Sequence, residues 1–327
     1  MADTWSTPPV TASLENPLYY LENARTLISW VRQLHADLLT TEEVASLDGF
    51  LAAPTDVQAL LIRMVMRTQT LYRAQQLQHY AEINTPVTEL LQTLESLGLV
   101  ELEPKVASDQ LADLLNREEL LSVHNRFITK PLPKSAAKAR VKEALATQDL
   151  PSMSLANWLG TDAPSAALAC QPLFDRLRLM FFGNLRQSWS EFVVTELGYF
   201  NYETVELTES SRAFHQRVEV DQYLALNAIY EFSESLPLGE RIDLARAVQP
   251  INDWIGGRYA RLIFSLGQEA ERAGEIETAL ELYRTSGLGD ALIRELRVME
   301  KHVSPQAVQQ RLELATPRSL TPLHQLS

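Results

Sequence analysis

Apolar residues recur at three- and four-residue steps along most of the chain, the spacing of helices that bury one face. Tyr20, Ala24, Leu27, Ile28, Val31 and Leu34 form the first such stripe. Thr40 or Thr41 supplies an N-cap for a second helix, with Glu42 and Glu43 in its electropositive first turn, and Asp56 a cap for a third running through Leu60, Leu61, Met64 and Val65. Thr85 and Pro86 read as N-cap and first residue of a helix striped by Leu90, Leu94 and Leu97. Gly98 takes the left-handed position after it, and Leu99-Val100-Glu101-Leu102 follows as a short strand. Helices followed by helix, Gly and strand predict a winged-helix-like domain over residues 16–104. A helical domain with one β-ribbon fits this signal equally well.

A helical pattern from Leu111 to Phe127 runs into Lys130-Pro131-Leu132-Pro133-Lys134, where the prolines break it. Ser135 then caps a short helix with Ala137, Val141 and Leu145 on one face, giving a small helix-turn-helix unit over 105–148. Residues 149–165 hold Pro151, Ser152, Ser154, Gly160, Pro164 and Ser165 and read as a linker around one short segment with Trp158 and Leu159. Helical patterns dominate again over 166–315: Phe174 to Leu185, Phe192 to Leu197, Gln222 to Phe232, Glu240 to Ala247, Tyr259 to Ala273, Ile276 to Arg284 and Gly289 to Lys301. Val205-Glu206-Leu207 is a candidate brief strand. Gly267, Gly274, Ala279 and Tyr283 fall where two antiparallel helices approach closely and an aromatic fills the gap, a tetratricopeptide-like pattern. The Leu292, Leu296, Met299 helix and the Val308, Leu312 helix are candidates for a degenerate second pair. Residues 1–15 and 316–327 carry no such pattern and are expected to be a disordered lead-in and a tail.

Composition supports helices over a glycine-punctuated sheet, since Gly supplies only 12 of 327 residues. Lys+Arg 29 against Asp+Glu 42 leaves a formal charge of -13, which argues against a protein that coats nucleic acid or anionic membrane with its whole surface. Any basic site must be local, and the cations are indeed clustered. Of six lysines, Lys130, Lys134, Lys138 and Lys142 fall within thirteen residues, and with Arg126 and Arg140 they make +6 in a window, Leu120 to Lys142, that has no acid. A second acid-free window, Val57 to Ala81, holds Arg63, Arg67 and Arg73. Phosphates are the natural partners of both, against the plainer reading of solvated faces.

Other chemistry finds little support. Cys170 is the single cysteine, which excludes an internal disulfide framework and a CxxC zinc site. It lacks a local basic neighbour to activate it. The six histidines show no metal-ligand spacing and are expected at the surface, and no glycine-rich phosphate loop occurs; Gly256-Gly257 precedes a helix without a phosphate-binding lysine. The sole carboxylate-x-Lys is Glu103-Pro104-Lys105, whose proline suits a boundary turn better than a nuclease strand. The Glu269, Glu271, Glu275, Glu277, Glu281 series reads as a solvated helix face. No stretch approaches the roughly 18 apolar residues of a membrane span, and Met1 to Asn16 lacks signal-peptide character, so a soluble cytoplasmic protein is expected.

Asn16-Pro17-Leu18-Tyr19-Tyr20, Leu61-Ile62-Arg63-Met64 through Leu71-Tyr72-Arg73, Tyr80-Ala81-Glu82-Ile83, and Leu90-Leu91 with Leu97-Gly98-Leu99-Val100 resemble the N-terminal region of Fanconi-associated nuclease proteins. The resemblance continues through Leu114-Leu115 and Glu118-Glu119-Leu120 to the lysine-rich helix, similar to that family's SAP-like DNA-binding unit. It then runs through Leu173-Phe174, Arg176, Phe181-Phe182, Phe192-Val193 and Leu197-Gly198 into the helical repeats. A departure lies at Arg67-Thr68-Gln69 and Leu71-Tyr72, where the family often has Arg-Lys-Gly and an aromatic pair. The resemblance implies a metal-dependent, structure-specific DNA nuclease family of phosphodiesterase I type. Its Mg- or Mn-binding virus-type replication-repair module is expected to be absent from this chain.

The sequence therefore predicts a mainly α protein with a winged-helix-like domain, a SAP-like unit and a tetratricopeptide-like domain. No cofactor and no catalytic or metal-ligating residue is expected in this chain, and no membrane partner. Its expected role is recognition of flapped or branched DNA in repair, nucleoid-associated when bound, through phosphate contacts from Arg63, Arg67, Arg73, Arg126, Lys130, Lys134, Lys138, Arg140 and Lys142. The competing expectation is a scaffold that binds protein partners through its repeats, and a sequence-specific repressor comes third because Pro86 to Leu97 carries Glu89 and Glu95 and no cation.

Overall fold

The computed structural model describes residues 16–194, 212–231 and 236–314. The expected lead-in, the Val205–Leu207 strand, residues 195–197 of the Phe192 helix and the tail lie outside them. The protein is mainly helical, and its contacts divide it into two compact units after Ala213.

The first unit begins with α1 (Tyr19–Leu34), α2 (Thr41–Ala52) and α3 (Thr55–Val65). The predicted α1 stripe is its core face: Tyr20, Ala24, Leu27, Ile28 and Val31 are fully buried. Thr40 caps α2 in a capping box, accepting from Glu43 N at 3.2 Å while the Glu43 carboxylate accepts from Thr40 N at 2.9 Å. Asp56 does not cap α3, which starts one residue before it. Its carboxylate instead accepts from Asn84 N, Thr85 N and Thr85 Oγ1 at 2.8–3.0 Å, fixing the entry to α4 (Val87–Ser96). Pro86, not Thr85, is the N-cap of α4, and Gly98 takes the predicted left-handed conformation with φ 68°.

Three short strands, β1 (Leu71–Arg73), β2 (Val100–Leu102) and β3 (Ser165–Leu168), form an antiparallel sheet in the order β1-β3-β2. The central strand thus starts on the last residue of the predicted linker and runs into the region expected to be helical from residue 166. Between β2 and β3 the chain builds α5 (Leu111–Leu114), α6 (Arg117–Phe127), α7 (Lys138–Ala146) and α8 (Leu155–Leu159) around a separate core running from Val106 to Ala163. Trp158 is fully buried there, and its Nε1 donates to Val106 O at 2.9 Å. Residues 149–163 of the predicted linker are therefore part of the inserted unit, and Ser165 opens β3. Their Pro, Ser and Gly content marks tight turns around one apolar anchor. The helical pattern from Leu111 breaks at Asn116, which starts α6 with a capping box to Glu119. Ser135 makes no cap; Ala137 stands at the N-cap of α7 without a side-chain hydrogen bond.

After β3, α9 (Gln171–Phe182) and α10 (Trp189–Val194) return to pack on α1, so the first unit continues past the boundary expected at residue 166. Two histidines expected at the surface, His35 and His124, are buried, and burial pushes the Cys170 thiol up to about 12.

The second unit contains α11 (Arg217–Glu231), α12 (Leu238–Ala247), α13 (Asp253–Ala273), α14 (Ile276–Ser286), α15 (Gly289–His302) and α16 (Pro305–Leu314). Gly256 and Gly257 lie inside α13 rather than before it. The predicted close approach is present between α13 and α14: a Cβ on Gly267 would stand 2.9 Å from the Tyr283 ring. The glutamate series is not simply solvated, since Glu269 pairs with buried Arg241, Glu271 with Arg294, and Glu281 with Arg246. Glu295, fully buried on α15, accepts from Arg284 of α14 at 2.6 Å and Arg311 of α16 at 2.9 Å. Among the described residues, no helix is long and apolar enough to cross a membrane.

Candidate nucleic-acid interface

The nine cations singled out in the sequence separate into two populations. In the first window Arg63 donates to Glu82 Oε1, at 2.8 Å from Nε and 2.5 Å from an Nη. Its guanidinium lies 3.9 Å from the Tyr20 ring centroid, and Tyr20 Oη donates to the same carboxylate oxygen at 2.9 Å. Burial works to raise the Glu82 carboxyl, but its hydrogen bonds and Arg63 outweigh it and hold Glu82 below its ordinary value. Burial and the Glu82 hydrogen bond push the Tyr20 phenol well up. Arg63 thus ties α1 and α3 to the segment after β1 and is committed within the domain.

Arg73 is committed likewise. Its Nη1 donates to both Glu119 oxygens at 2.8 and 2.9 Å, and its side chain is 16% exposed. Arg67 differs in having no carboxylate partner among the described residues: it donates to Tyr80 Oη and to Gln76 O and is half-buried. Of this window, Arg67 alone keeps a charge not cancelled by an adjacent acid.

The second window is open. Arg126 on α6, Lys130 and Lys134 in the connection, and Lys138, Arg140 and Lys142 on α7 are all exposed. None forms an ion pair with a described residue. The reason lies in the local sequence, which offers no acid between Glu119 and Glu143. α7 buries only Val141 and Leu145, so its three cations project around the remaining surface. The connection is also held in shape. Asn125 accepts from Leu132 N at 2.8 Å and donates to Leu132 O at 3.2 Å, while Arg117 donates to Lys134 O at 2.7 Å. A basic loop fixed before binding loses less conformational entropy on meeting a ligand. Asn125 is uncharged and Arg117 stands beside Glu118 and Glu119, outside the acid-free window, so neither carried a charge-cluster signal of its bracing role.

A metal centre does not fit these residues. Among the described residues no three His, Cys, Asp or Glu side chains converge. Glu103, in the sole carboxylate-x-Lys, has left-handed φ 48°, and its carboxylate accepts from Ser165 N at 3.0 Å, so it closes the neck of the inserted unit.

Fold and site define a mainly helical protein in which a three-stranded helix-turn-helix domain carries an inserted basic helical unit. Residues 18–101 match the FAN1 HTH-domain family. A Fanconi-associated nuclease 1 homolog of Pseudomonas aeruginosa (strain PAO1) is 37% identical over 300 residues, covering 90% of this chain and 52% of that protein. A homolog of Oryza sativa subsp. japonica is 27% identical over 216 residues, 62% of this chain and 22% of its own length. Among solved structures, paFAN1 bound to 2-nucleotide 5′-flap DNA with a gap superposes with TM-score 0.79 at 35% identity, covering 94% of this chain and 56% of that one. The complex with 1-nucleotide 5′-flap DNA gives 0.82 at 34% identity, with coverages of 95% and 57%. The chain is therefore related to the Fanconi-associated nucleases, and residues 18–101 belong to the FAN1 HTH-domain family. It spans about half the length of the Pseudomonas relative and of the superposed paFAN1 chains, and a smaller share of the Oryza protein.

Proposed function

We propose that this chain recognises flapped or branched duplex DNA in repair, as a non-catalytic part of a Fanconi-associated nuclease-like system. The observation that carries this reading is the set of six exposed, unpaired cations from Arg126 to Lys142 in a protein of net charge -13. Local positive charge of this kind positions a phosphate backbone without reading sequence, which suits recognition of DNA shape. The 5′-flap DNA in the related paFAN1 complexes supports the same substrate class. In this reading α5–α8 serve as the SAP-like phosphate-binding unit, Arg67 adds a contact beside Tyr80, and Arg63 and Arg73 hold the scaffold. The protein works in the cytoplasm at the nucleoid. A Mg- or Mn-dependent nuclease module supplies cleavage from outside the residues described.

A second reading assigns α13–α16 as a tetratricopeptide-like surface for a protein partner. It is favoured by the exposed Val303, Leu312 and Leu314 near the end of that helical series. The two readings are compatible within one protein.

Electrophoretic titration of the purified chain with 5′-flap, four-way junction and linear duplex DNA of equal length tests the DNA reading. Tighter binding to flap or junction is expected. Equal, weak binding to all three, lost by moderate salt, leaves only a non-specific cationic patch and overturns shape recognition.

A further inference from the structure

The C-terminal turn of α8 makes a contact that the charge pattern does not explain. Gly160 closes that helix in the left-handed conformation, φ 70°, and the place its Cβ would occupy is taken by the Arg126 guanidinium, with Nη1 in collision, Cζ at 3.0 Å and Nη2 at 3.2 Å. Arg126 also lies over the Phe127 ring, 5.3 Å from its centroid. Phe127 packs edge-on against the fully buried Trp158 at 5.0 Å. The guanidinium therefore rests on backbone and aromatic surface anchored in the inserted core, while the side chain remains exposed. Lys130, Lys134, Lys138, Arg140 and Lys142 make no side-chain hydrogen bond to a described residue, and their flexible stems must be ordered by whatever they bind.

Arginine presents a rigid fork that matches phosphate with two parallel hydrogen bonds, and a fork already seated gives up little entropy when it binds. We propose that Gly160 is the positioning residue for a DNA-phosphate contact made by Arg126, its missing side chain leaving the seat on which the guanidinium is held. This rests on the DNA-binding reading above and assigns within it one preorganised contact among five mobile ones. A side chain at position 160 would push aside the end of a flexible arginine rather than backbone, so the local fold has room to survive the change.

The test uses the full chain, a fluorescently labelled 5′-flap duplex and anisotropy titrations over a series of KCl concentrations. Variants are Arg126→Ala, Gly160→Ala, the double variant and Gly287→Ala. Gly287 also closes a helix with positive φ, 64°, but a Cβ there meets nothing, so it reproduces the backbone strain without displacing a cation. Arg126→Ala and Gly160→Ala are each expected to weaken binding about tenfold, the scale of one charge-assisted contact. Each should also lower the log-log salt slope by about 0.9. The double variant should match Arg126→Ala, and Gly287→Ala should match the parent. A parental slope in Gly160→Ala beside a reduced one in Arg126→Ala overturns the positioning role and leaves the DNA reading standing, as does a double variant that weakens binding by the product of the two single effects. A parental slope in Arg126→Ala overturns the contact itself. In that case reversal of the four lysines decides whether the DNA reading falls with it.

Discussion

Arg73 on β1 and Glu119 on α6 are separated by 46 positions, yet one guanidinium nitrogen reaches both carboxylate oxygens at 2.8 and 2.9 Å. Glu119 also closes the α6 capping box by accepting from Asn116 N at 3.0 Å. One carboxylate thus fixes the start of the helix carrying Arg126 and ties it to the sheet. The pair makes the inserted unit an extension of the helix-turn-helix domain rather than a bead on a linker.

That pair gives the first unit an acid-sensitive joint. Burial works to raise Glu119, but Arg73 and the Asn116 backbone outweigh it and hold the carboxyl below its ordinary 4.5; Glu82, with Arg63 and Tyr20 on it, is lowered in the same sense. A folded-state value below the unfolded one means that the stabilisation is complete above about pH 4.5 and is lost as pH falls through the folded value. Urea melts of the parent should have midpoints that hold steady from about pH 7 to 5 and fall below that. Glu119→Gln should lower the plateau and flatten the acid limb. The same acid limb in parent and variant would exclude Glu119 as a contributor.

Reversing Lys130, Lys134, Lys138 and Lys142 to Glu should weaken DNA binding uniformly across sequences. The log-log salt slope should fall by about 0.9 for every phosphate that the variant no longer neutralises. Unchanged affinity and slope would remove the phosphate role of this surface.

Arg63 should behave in the opposite way. Arg63→Gln leaves a largely buried carboxylate and a tyrosine hydroxyl with an impaired network, a loss of about 1–3 kcal/mol in stability. Because Arg63 is spent on Glu82, the salt slope of DNA binding should stay parental while the denaturation midpoint drops. A reduced slope with parental stability would return Arg63 to the set of phosphate contacts.

Elements set by local chemistry were legible in the sequence. The α1 stripe, the Thr40 cap and the Gly98 turn follow from periodicity, a hydroxyl at an N-cap and a left-handed residue at a helix end. The basic surface was legible too, because exposure of six cations without neighbouring acids needs no knowledge of the fold. What the sequence hid is long-range. β3 pairs with strands some sixty to ninety residues earlier, so its four residues, Ser165 to Leu168, carry no signal of being central. A cluster of Pro, Ser and Gly marks turns in a packed unit as readily as it marks a linker, and only the burial of Trp158 distinguishes them. Charge windows locate cations but not their partners: Glu82 and Glu119 lie outside the acid-free stretch and cancel Arg63 and Arg73 across it.

Two glycines on α13 should respond to the same substitution with opposite signs. Alanine is favoured over glycine in a helix interior by about 1 kcal/mol, and a Cβ on Gly257 meets nothing, so Gly257→Ala should stabilise the second unit by up to about that amount. At Gly267 a Cβ would stand 2.9 Å from Tyr283 Cε1 and 3.3 Å from Leu282 Cβ. The Tyr283 ring is pinned, because its hydroxyl donates to Glu271 at 2.7 Å. Overpacking of that kind costs about 1–3 kcal/mol and should outweigh the propensity gain. Ala279→Leu, at a fully buried site on α14, should lose a similar amount. Denaturant melts that rank Gly267→Ala above Gly257→Ala would contradict a tight α13–α14 contact.

The last expectation is that the chain binds DNA without cutting it. Phosphodiester hydrolysis of the metal-dependent kind needs carboxylates converging on a cation and a group beside the attacking water. Among the described residues no such cluster exists. Glu103, the carboxylate of the only carboxylate-x-Lys, is engaged with Ser165 N at 3.0 Å, and Pro104 separates it from Lys105 in a turn rather than along a strand. Incubating the protein with 5′-flap DNA and Mg or Mn should leave the substrate intact at concentrations that shift it fully in a gel. The double substitution Glu103→Gln, Lys105→Ala should leave that binding unchanged. Cleavage by the parent that disappears in this variant would show that the neck of the inserted unit is an active site. Cleavage that persists in the variant would place a nuclease centre elsewhere in the chain, and either result would end the non-catalytic reading.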